Sequence, residues 1–209
     1  MIKVIIIGSG NVAQHLIKAF SDPAVLAQKI ELIQVFSRQK EKLVHLVSSD
    51  KIANDFKDLA EADLYIMAIS DDAIASVSAQ FPFKNRLVVH TSGSVAMTDL
   101  DDKNRKGVFY PLQTFTKDKP VHFETIPICL ETENQSDYAL VEKVAKSISK
   151  TVFPIDSHQR KALHVSAVFV NNFVNHLYQI GQEICEENHV PFEILKPLIL
   201  ETVEKIMVL

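Results

Sequence analysis

Hydrophobic positions fall into short unbroken runs along the first three quarters of the chain. Val4-Ile5-Ile6-Ile7 meets Gly8-Ser9-Gly10, after which Val12-Ala13-Gln14-His15-Leu16-Ile17 takes up helical spacing. An apolar run of that length reads as a strand buried on both faces, followed by a tight turn and a helix start. Similar runs predict strands at residues 30–36, 52–53, 64–69, 86–90, 107–110, 126–130 and 151–153. Helices are expected over about 11–21, from about 40 to 49, over 56–62 and over 137–150. Ser70-Asp71-Asp72 offers carboxylates suited to a helix N-cap. Residues 116–124 read as a polar loop. Strands alternating with helices at this spacing predict an α/β domain with a doubly wound, mostly parallel sheet.

The pattern changes at Asp156. Asp156 with Gln159 three residues on resembles a capping box, and one long helix is expected from there to about Asn188, interrupted only by Gly181. Pro191 suits the first turn of a second helix, and Pro197 either kinks that helix or marks where it begins. The chain is therefore expected to divide into an α/β domain over 1–154 and an all-helical C-terminal domain over 155–209. Without a C-cap signal at Leu209, the helical part reads as cut short.

Composition narrows the classes. With 209 residues, 47% of them hydrophobic, the chain can bury a substantial core. A net charge of −4, without a basic stripe, gives no electrostatic reason to bind nucleic acid. Cys129 and Cys185 match no metal-ligand spacing, which predicts a reduced, cytoplasmic protein without structural disulfides. No stretch approaches the roughly 20 apolar residues that span a bilayer, so no membrane is expected. The histidines form no metal-binding motif, and no G-x-S-x-G elbow surrounds the serines, which argues against a catalytic metal and a hydrolase.

In open α/β sheets ligands bind outside the carboxyl ends of the strands. Four polar exits collect there: Gly8-Ser9-Gly10-Asn11-Val12, Ser37-Arg38, Ile69-Ser70-Asp71 and Thr91-Ser92. The first is G-x-G-x-x-A at a strand-to-helix turn. Its small residues let the backbone turn tightly and lie against a pyrophosphate, and the N–H groups of the new helix face the anion. The second carries no carboxylate where an NAD site usually places one for the ribose hydroxyls. Arg38 instead can grip a 2′-phosphate, which points to NADP; the alternative is that Arg38 and Lys40 simply open a solvated helix. Thr91 and Ser92 stand beside the expected nicotinamide position, where Ser92 or Ser94 can bind substrate. On the long helix, at about 100° per residue, His164, Asn171 and Asn175 fall within roughly 20° of one line, with Lys161, Asn172 and His176 beside them. Such a stripe suits groups that hydrogen-bond something partly buried, either a substrate or a domain or subunit interface. His164 is the candidate proton donor because imidazole titrates near neutrality.

Several motifs together carry a resemblance. They are G-S-G-N-V-A at 8–13, F-S-R at 36–38, H-T-S-G-S at 90–94, G-V-F-Y-P-L-Q-T-F at 107–115 and Q-R-K-A-L-H-V-S-A-V-F-V-N-N-F-V-N-H at 159–176. Along its whole length the chain resembles the bacterial Rossmann-like NADP oxidoreductases, which are related to pyrroline-5-carboxylate reductase and the deazaflavin-dependent NADP reductases. The resemblance implies an N-terminal NADP-binding domain, a C-terminal helical domain that forms a homodimer, and an active cleft between them. Hydroxyacid dehydrogenase relatives carry a Lys-x-x-x-Asn pair on the interdomain helix. Here Lys161 is followed by Val165, and His164 with Asn171 or Asn172 stands nearest in place. Members of the family continue with a T-G-P…R-x-D segment beyond the position of Leu209.

These readings converge on an NADP-dependent reductase of a small carbonyl or imine compound. Its expected cofactor residues are Gly8, Ser9, Gly10, Asn11, Val12, Ser37, Arg38, Ile69, Ser70 and Thr91. His164, Asn171, Asn172 and Ser92 are its expected catalytic residues. The competing readings are a dinucleotide-binding sensor or interaction module without turnover, and a structural dimer.

Overall fold

A computed structural model of the chain describes residues 1–117 and 119–208. Asp118 of the expected polar loop and Leu209 of the expected last helix lie outside the described residues. The chain splits into two compact units, Met1–Ala162 and Leu163–Leu209, dividing within a helix.

The first unit is built on one sheet. Its strands are β1 (Ile2–Ile7), β2 (Ile30–Phe36), β3 (Ile52–Ala53), β4 (Leu64–Met67), β5 (Leu87–His90), β6 (Arg105–Pro111), β7 (Ile128–Thr132) and β8 (Val152–Pro154). They lie in the order β3-β2-β1-β4-β5-β6-β7-β8. Every neighbouring pair is parallel except β6 and β7. The order reverses between β1 and β4, which makes a topological switch point at their carboxyl ends. This is a mostly parallel, Rossmann-like sheet.

The apolar run at 4–7 explains why β1 is central. Val4 and Ile6 join one hydrophobic layer with Leu16 and Ile17, while Ile5 and Ile7 join another with Tyr65 and Met67. All four β1 residues are at most 1% exposed. Burial of a side chain of this size stabilises by about 1.5–3 kcal/mol. The first layer is covered by α1 (Asn11–Phe20), α2 (Pro23–Ala27) and α4 (Gln135–Lys146), and the second by α3 (Ile74–Ser78). Asp22 caps α2 by accepting from the Ala24 N–H, and Asn134 caps α4 by accepting from the Asp137 N–H.

Three expected elements are different. Residues 40–49 form a 3-10 turn at Lys40–Lys42 and further turns instead of a helix. Leu43, fully buried, pins this segment to the core, and its carbonyl accepts from the N–H groups of both Leu46 and Val47. The helix expected at 56–62 stops after the 3-10 turn Phe56–Asp58. Side chains take over the backbone there: Gln34 Nε2 donates to the Asp58 carbonyl and Gln34 Oε1 accepts from the Ala60 N–H. The Tyr65 hydroxyl donates to the Ala60 carbonyl and accepts from the Ala62 N–H. Finally, no side chain caps the turn at Asp71–Ala73 that leads into α3. The Asp71 carboxylate instead accepts from the Ser94 hydroxyl at 2.5 Å.

At the start of α5 (Ser157–Ala167) the capping box forms as expected. Asp156 Oδ1 accepts from the Gln159 N–H at 2.8 Å, and Gln159 Oε1 accepts from the Asp156 N–H at 3.1 Å. The helical path of the second unit, however, is not uniform. A π turn at Val168–Phe173 separates α5 from α6 (Val174–Glu187). Its wider i→i+5 spiral interrupts the 100° step assumed between His164 and Asn171, while Asn171 and Asn175 remain neighbours. Pro197 stands in the first turn of α7 (Lys196–Met207) and marks where that helix begins. The second unit carries many exposed apolar side chains, among them Phe169, Phe173, Leu177, Ile184, Leu198 and Ile206. No described helix is long and apolar enough to cross a membrane.

Candidate functional site

The carboxyl ends of β1, β2, β4 and β5 open on a cavity of about 1000 Å3. Gly8, Ser9, Gly10, Asn11 and Val12 form one side; Ser37 and Arg38, Ile69 and Ser70, and Thr91 complete the set of ten expected cofactor residues on its wall.

The two glycines of the turn have different reasons to be there. Gly8 has φ +133°, and a Cβ on it would lie 2.1 Å from the Ala68 carbonyl oxygen. It is required by the close approach of the ends of β1 and β4. Gly10 is the N-cap of α1 with φ −75° and ψ −177°, a conformation any residue adopts, and a Cβ on it would meet nothing within 4 Å. Serine or aspartate is favoured at such a position, yet α1 has neither a side-chain cap nor an acidic residue in its first turn. Its N-terminal N–H groups and positive dipole end face the cavity unclaimed by a carboxylate, as an anion site requires. Thus Gly8 serves the fold, and Gly10 leaves room for a ligand.

At the β2 end, Arg38 and Lys42 are both exposed and both line the cavity. Lys42 was not expected in this role; Lys40 lies in the same 3-10 turn. Ser37 is 4% exposed, and its hydroxyl donates to the Gln39 carbonyl and accepts from the Gln39 N–H. It shapes the turn that presents Arg38. The Phe36 and Phe56 rings are stacked with centroids 4.2 Å apart, giving this end an apolar floor.

The β5 exit is tightly tied. Ser92 Oγ accepts from the Ser94 and Val95 N–H groups, so its hydroxyl organises its own loop, while Thr91 is the residue on the cavity wall. His90 is fully buried, and its Nδ1 accepts from the Ser92 N–H at 3.2 Å, which leaves the ring proton on Nε2. Burial, and secondly the Arg160 guanidinium, press this imidazole down to about 4, so it is neutral at pH 7. Arg160 is itself fully buried. It donates through Nη1 to Glu131 at 2.6 Å, and through Nη2 to the Val95 carbonyl and to Ser157 Oγ. Ser157 Oγ in turn donates to Glu131 at 2.6 Å and accepts from the Met97 N–H. Arginine in Q-R-K-A-L-H thus fastens the first turn of α5 to the exits of β5 and β7.

His164, Asn171 and Asn172 belong to the second unit. His164 is half-buried near the end of α5, and the asparagines sit in the π turn. Asn171 Nδ2 donates to Asn172 Oδ1 at 3.0 Å, and Asn175 Nδ2 approaches Asn171 Oδ1 at 3.4 Å. Among the described residues no group of three or more His, Cys, Asp or Glu is arranged to hold a metal ion.

Phe56, Gln80, Gln113 and Phe115 also stand on the cavity wall, without having been expected there. The last two lie in the G-V-F-Y-P-L-Q-T-F motif, where a polar and an aromatic residue directly beyond a strand-ending proline were the available signal.

Residues 3–93 match the family described as NADP oxidoreductase coenzyme F420-dependent, and residues 126–209 match a domain of unknown function (DUF2520). A Bacteroides fragilis protein named as a putative NADP oxidoreductase is 34% identical, with a TM-score of 0.83 over 100% of this chain and 81% of that one. The chain belongs to the NADP oxidoreductase family. Two more distant structures share the fold with this family member. A reductive aminase from Aspergillus terreus, in complex with NADPH and ethyl-5-oxohexanoate, is 16% identical with a TM-score of 0.74, covering 99% of this chain and 74% of that one. A pyrroline-5-carboxylate reductase from Coxiella burnetii is 15% identical with a TM-score of 0.64, covering 98% and 77%. No curated protein matches the chain.

Proposed function

We propose that this chain is an NADP-dependent reductase of a small carbonyl or imine compound. The observation that carries the reading is the pairing of an open Gly10 at the head of α1 with Arg38 and Lys42, two cations and no carboxylate, at the far end of the same cavity. The helix N–H groups suit a pyrophosphate, and a guanidinium suits a 2′-phosphate through bidentate, charge-assisted hydrogen bonds. NADPH, when bound, would supply a hydride to the electrophilic carbon, and a proton would complete the alcohol or amine. In this reading His164 donates that proton, Asn171 and Asn172 orient the substrate, and Ser92 acts by shaping the loop that carries Thr91. The reductive aminase and pyrroline-5-carboxylate reductase likenesses support an imine or carbonyl as the acceptor class. The exposed apolar side chains of the second unit support a homodimer formed through those helices.

Titration calorimetry of the wild type is expected to show tighter binding of NADPH than of NADH, and Arg38→Glu to abolish or reverse that preference. Equal affinities for the two nucleotides would remove the phosphate assignment. Tight NADPH binding without oxidation across carbonyl, imine and deazaflavin acceptors would favour a nucleotide sensor instead.

A further inference from the structure

Asn11, in the glycine-turn motif, commits its side-chain amide to the backbone of the segment beyond β6. Its Nδ2 donates to the Phe115 carbonyl at 3.0 Å. One helical turn later, His15 Nε2 lies 2.9 Å from the Thr116 carbonyl, and because a carbonyl only accepts, that nitrogen carries the proton. Two side chains of α1 thus hold two successive carbonyls of the segment that leaves β6. The segment is fixed at its origin too, since the Leu112 N–H donates to the Pro127 carbonyl at 2.8 Å. The Phe115 ring is wedged between His15, with centroids 5.3 Å apart, and Phe123 of the core, at 5.9 Å. Held in this way, Phe115 and Gln113 stand on the wall of the same cavity as Gly8–Val12. Gln113 Oε1 is taken by the Thr114 N–H, so its amide N–H pair is what it offers to an acceptor oxygen, such as one on a phosphate or a ribose.

We propose that residues 112–116 form a strap across the glycine turn that gives the dinucleotide two contacts, the Phe115 ring and the Gln113 amide, and that Asn11 anchors the strap and is not itself a phosphate ligand. The inference rests on the nucleotide reading of the cavity and adds to it. The phosphates are left to backbone N–H groups, and the strap adds an apolar wall and one donor from outside the first βαβ unit. Asn11 is a positioning residue in this arrangement, and Gln113 and Phe115 are binding residues.

The test is a double-mutant cycle on the NADPH dissociation constant, measured by calorimetry on the whole chain, with the urea midpoint as a check on folding. Phe115→Ala and Asn11→Ala are each expected to weaken binding about tenfold, and the double variant to be no weaker than the weaker single one. Multiplied effects would mean that Asn11 touches the nucleotide itself, overturning the anchor. Unchanged affinity in both single variants, with the wild type binding well, would overturn the strap and leave the nucleotide reading standing. A wild type that binds no NADPH removes the nucleotide reading and the strap with it. Should Phe115→Ala not fold, Phe115→Trp replaces it, since the chain contains no tryptophan. Its emission is expected to be quenched saturably by NADPH, and a tryptophan blind to bound NADPH would refute contact.

Discussion

Replacing the two glycines of the first turn, one at a time, separates a demand of the fold from a demand of the ligand. At Gly8, alanine would have to keep φ +133° and place its Cβ 2.1 Å from the Ala68 carbonyl oxygen. Backbone in so rarely populated a region costs about 1–3 kcal/mol, and the overlap adds the cost of separating β1 from β4. A total of at least about 3 kcal/mol is a large share of a typical 5–15 kcal/mol stability. At Gly10 the surroundings are empty and the backbone is ordinary. Alanine there is a poorer N-cap by about 0.5–1 kcal/mol, and it lowers the entropy of the unfolded chain by about 0.4–1 kcal/mol in compensation. The net change is within about 0.5 kcal/mol. On the proposed nucleotide reading, its new methyl group stands where the pyrophosphate would approach, so NADPH binding is expected to weaken at least about tenfold, or 1.4 kcal/mol. Urea denaturation and NADPH calorimetry on both variants provide the assay. Gly8→Ala should lose stability heavily, and Gly10→Ala should keep stability and lose binding. If Gly10→Ala binds NADPH like the wild type, the cavity is not a pyrophosphate cradle.

Three further outcomes follow from other parts of the molecule. His90 ordinarily titrates at 6.5 and is held at about 4 in the fold, so between these values the unfolded chain takes up a proton that the native chain refuses. The stability this group allows is complete above about pH 6.5 and is lost as pH falls toward about 4, by about 2 kcal/mol between pH 7 and pH 5. His90→Asn keeps an acceptor for the Ser92 N–H, so its urea midpoint should fall less over that range; parallel curves would contradict the buried neutral ring. Arg160→Met should cost about 3–5 kcal/mol by stranding the mostly buried Glu131 carboxylate. Glu131→Leu added to it should restore much of that loss, whereas no recovery would identify packing as the cause. Phe173→Lys with Leu177→Lys should convert a sedimenting dimer to a monomer, and a wild type that is monomeric at all concentrations would end the dimer proposal.

How much was legible depended on whether local or tertiary forces decided a segment. β1 was readable because burial on both faces writes an unbroken apolar run, and β2 because only Glu31 and Gln34 interrupt its apolar residues. The Asp156–Gln159 capping box was readable because both partners lie within three residues. The helix expected at 56–62 failed because Gln34 and Tyr65, from two other strands, satisfy its backbone, and nothing local announces that. The π turn was hidden for the same reason: a 100° step is an assumption about every intervening residue. In the cavity, the glycine turn and Arg38 were legible as lining residues because each sits at the exit of a readable strand. Phe115 and Gln113 reach it only because β6 and β7 run antiparallel and throw their connection back over α1. The Asp71 carboxylate likewise met its partner Ser94 across two exit loops, a pairing that no spacing along the chain encodes.

The sheet has one more property. Its two margins are β3, of two residues, and β8, of three, the latter ending in Pro154, which has no N–H to offer. Edge strands so short offer little template themselves for growth by strand addition, the route to aggregates during folding. In an eight-stranded sheet with so much apolar surface, margins of two and three residues are a guard against growth at the ends of the strand order.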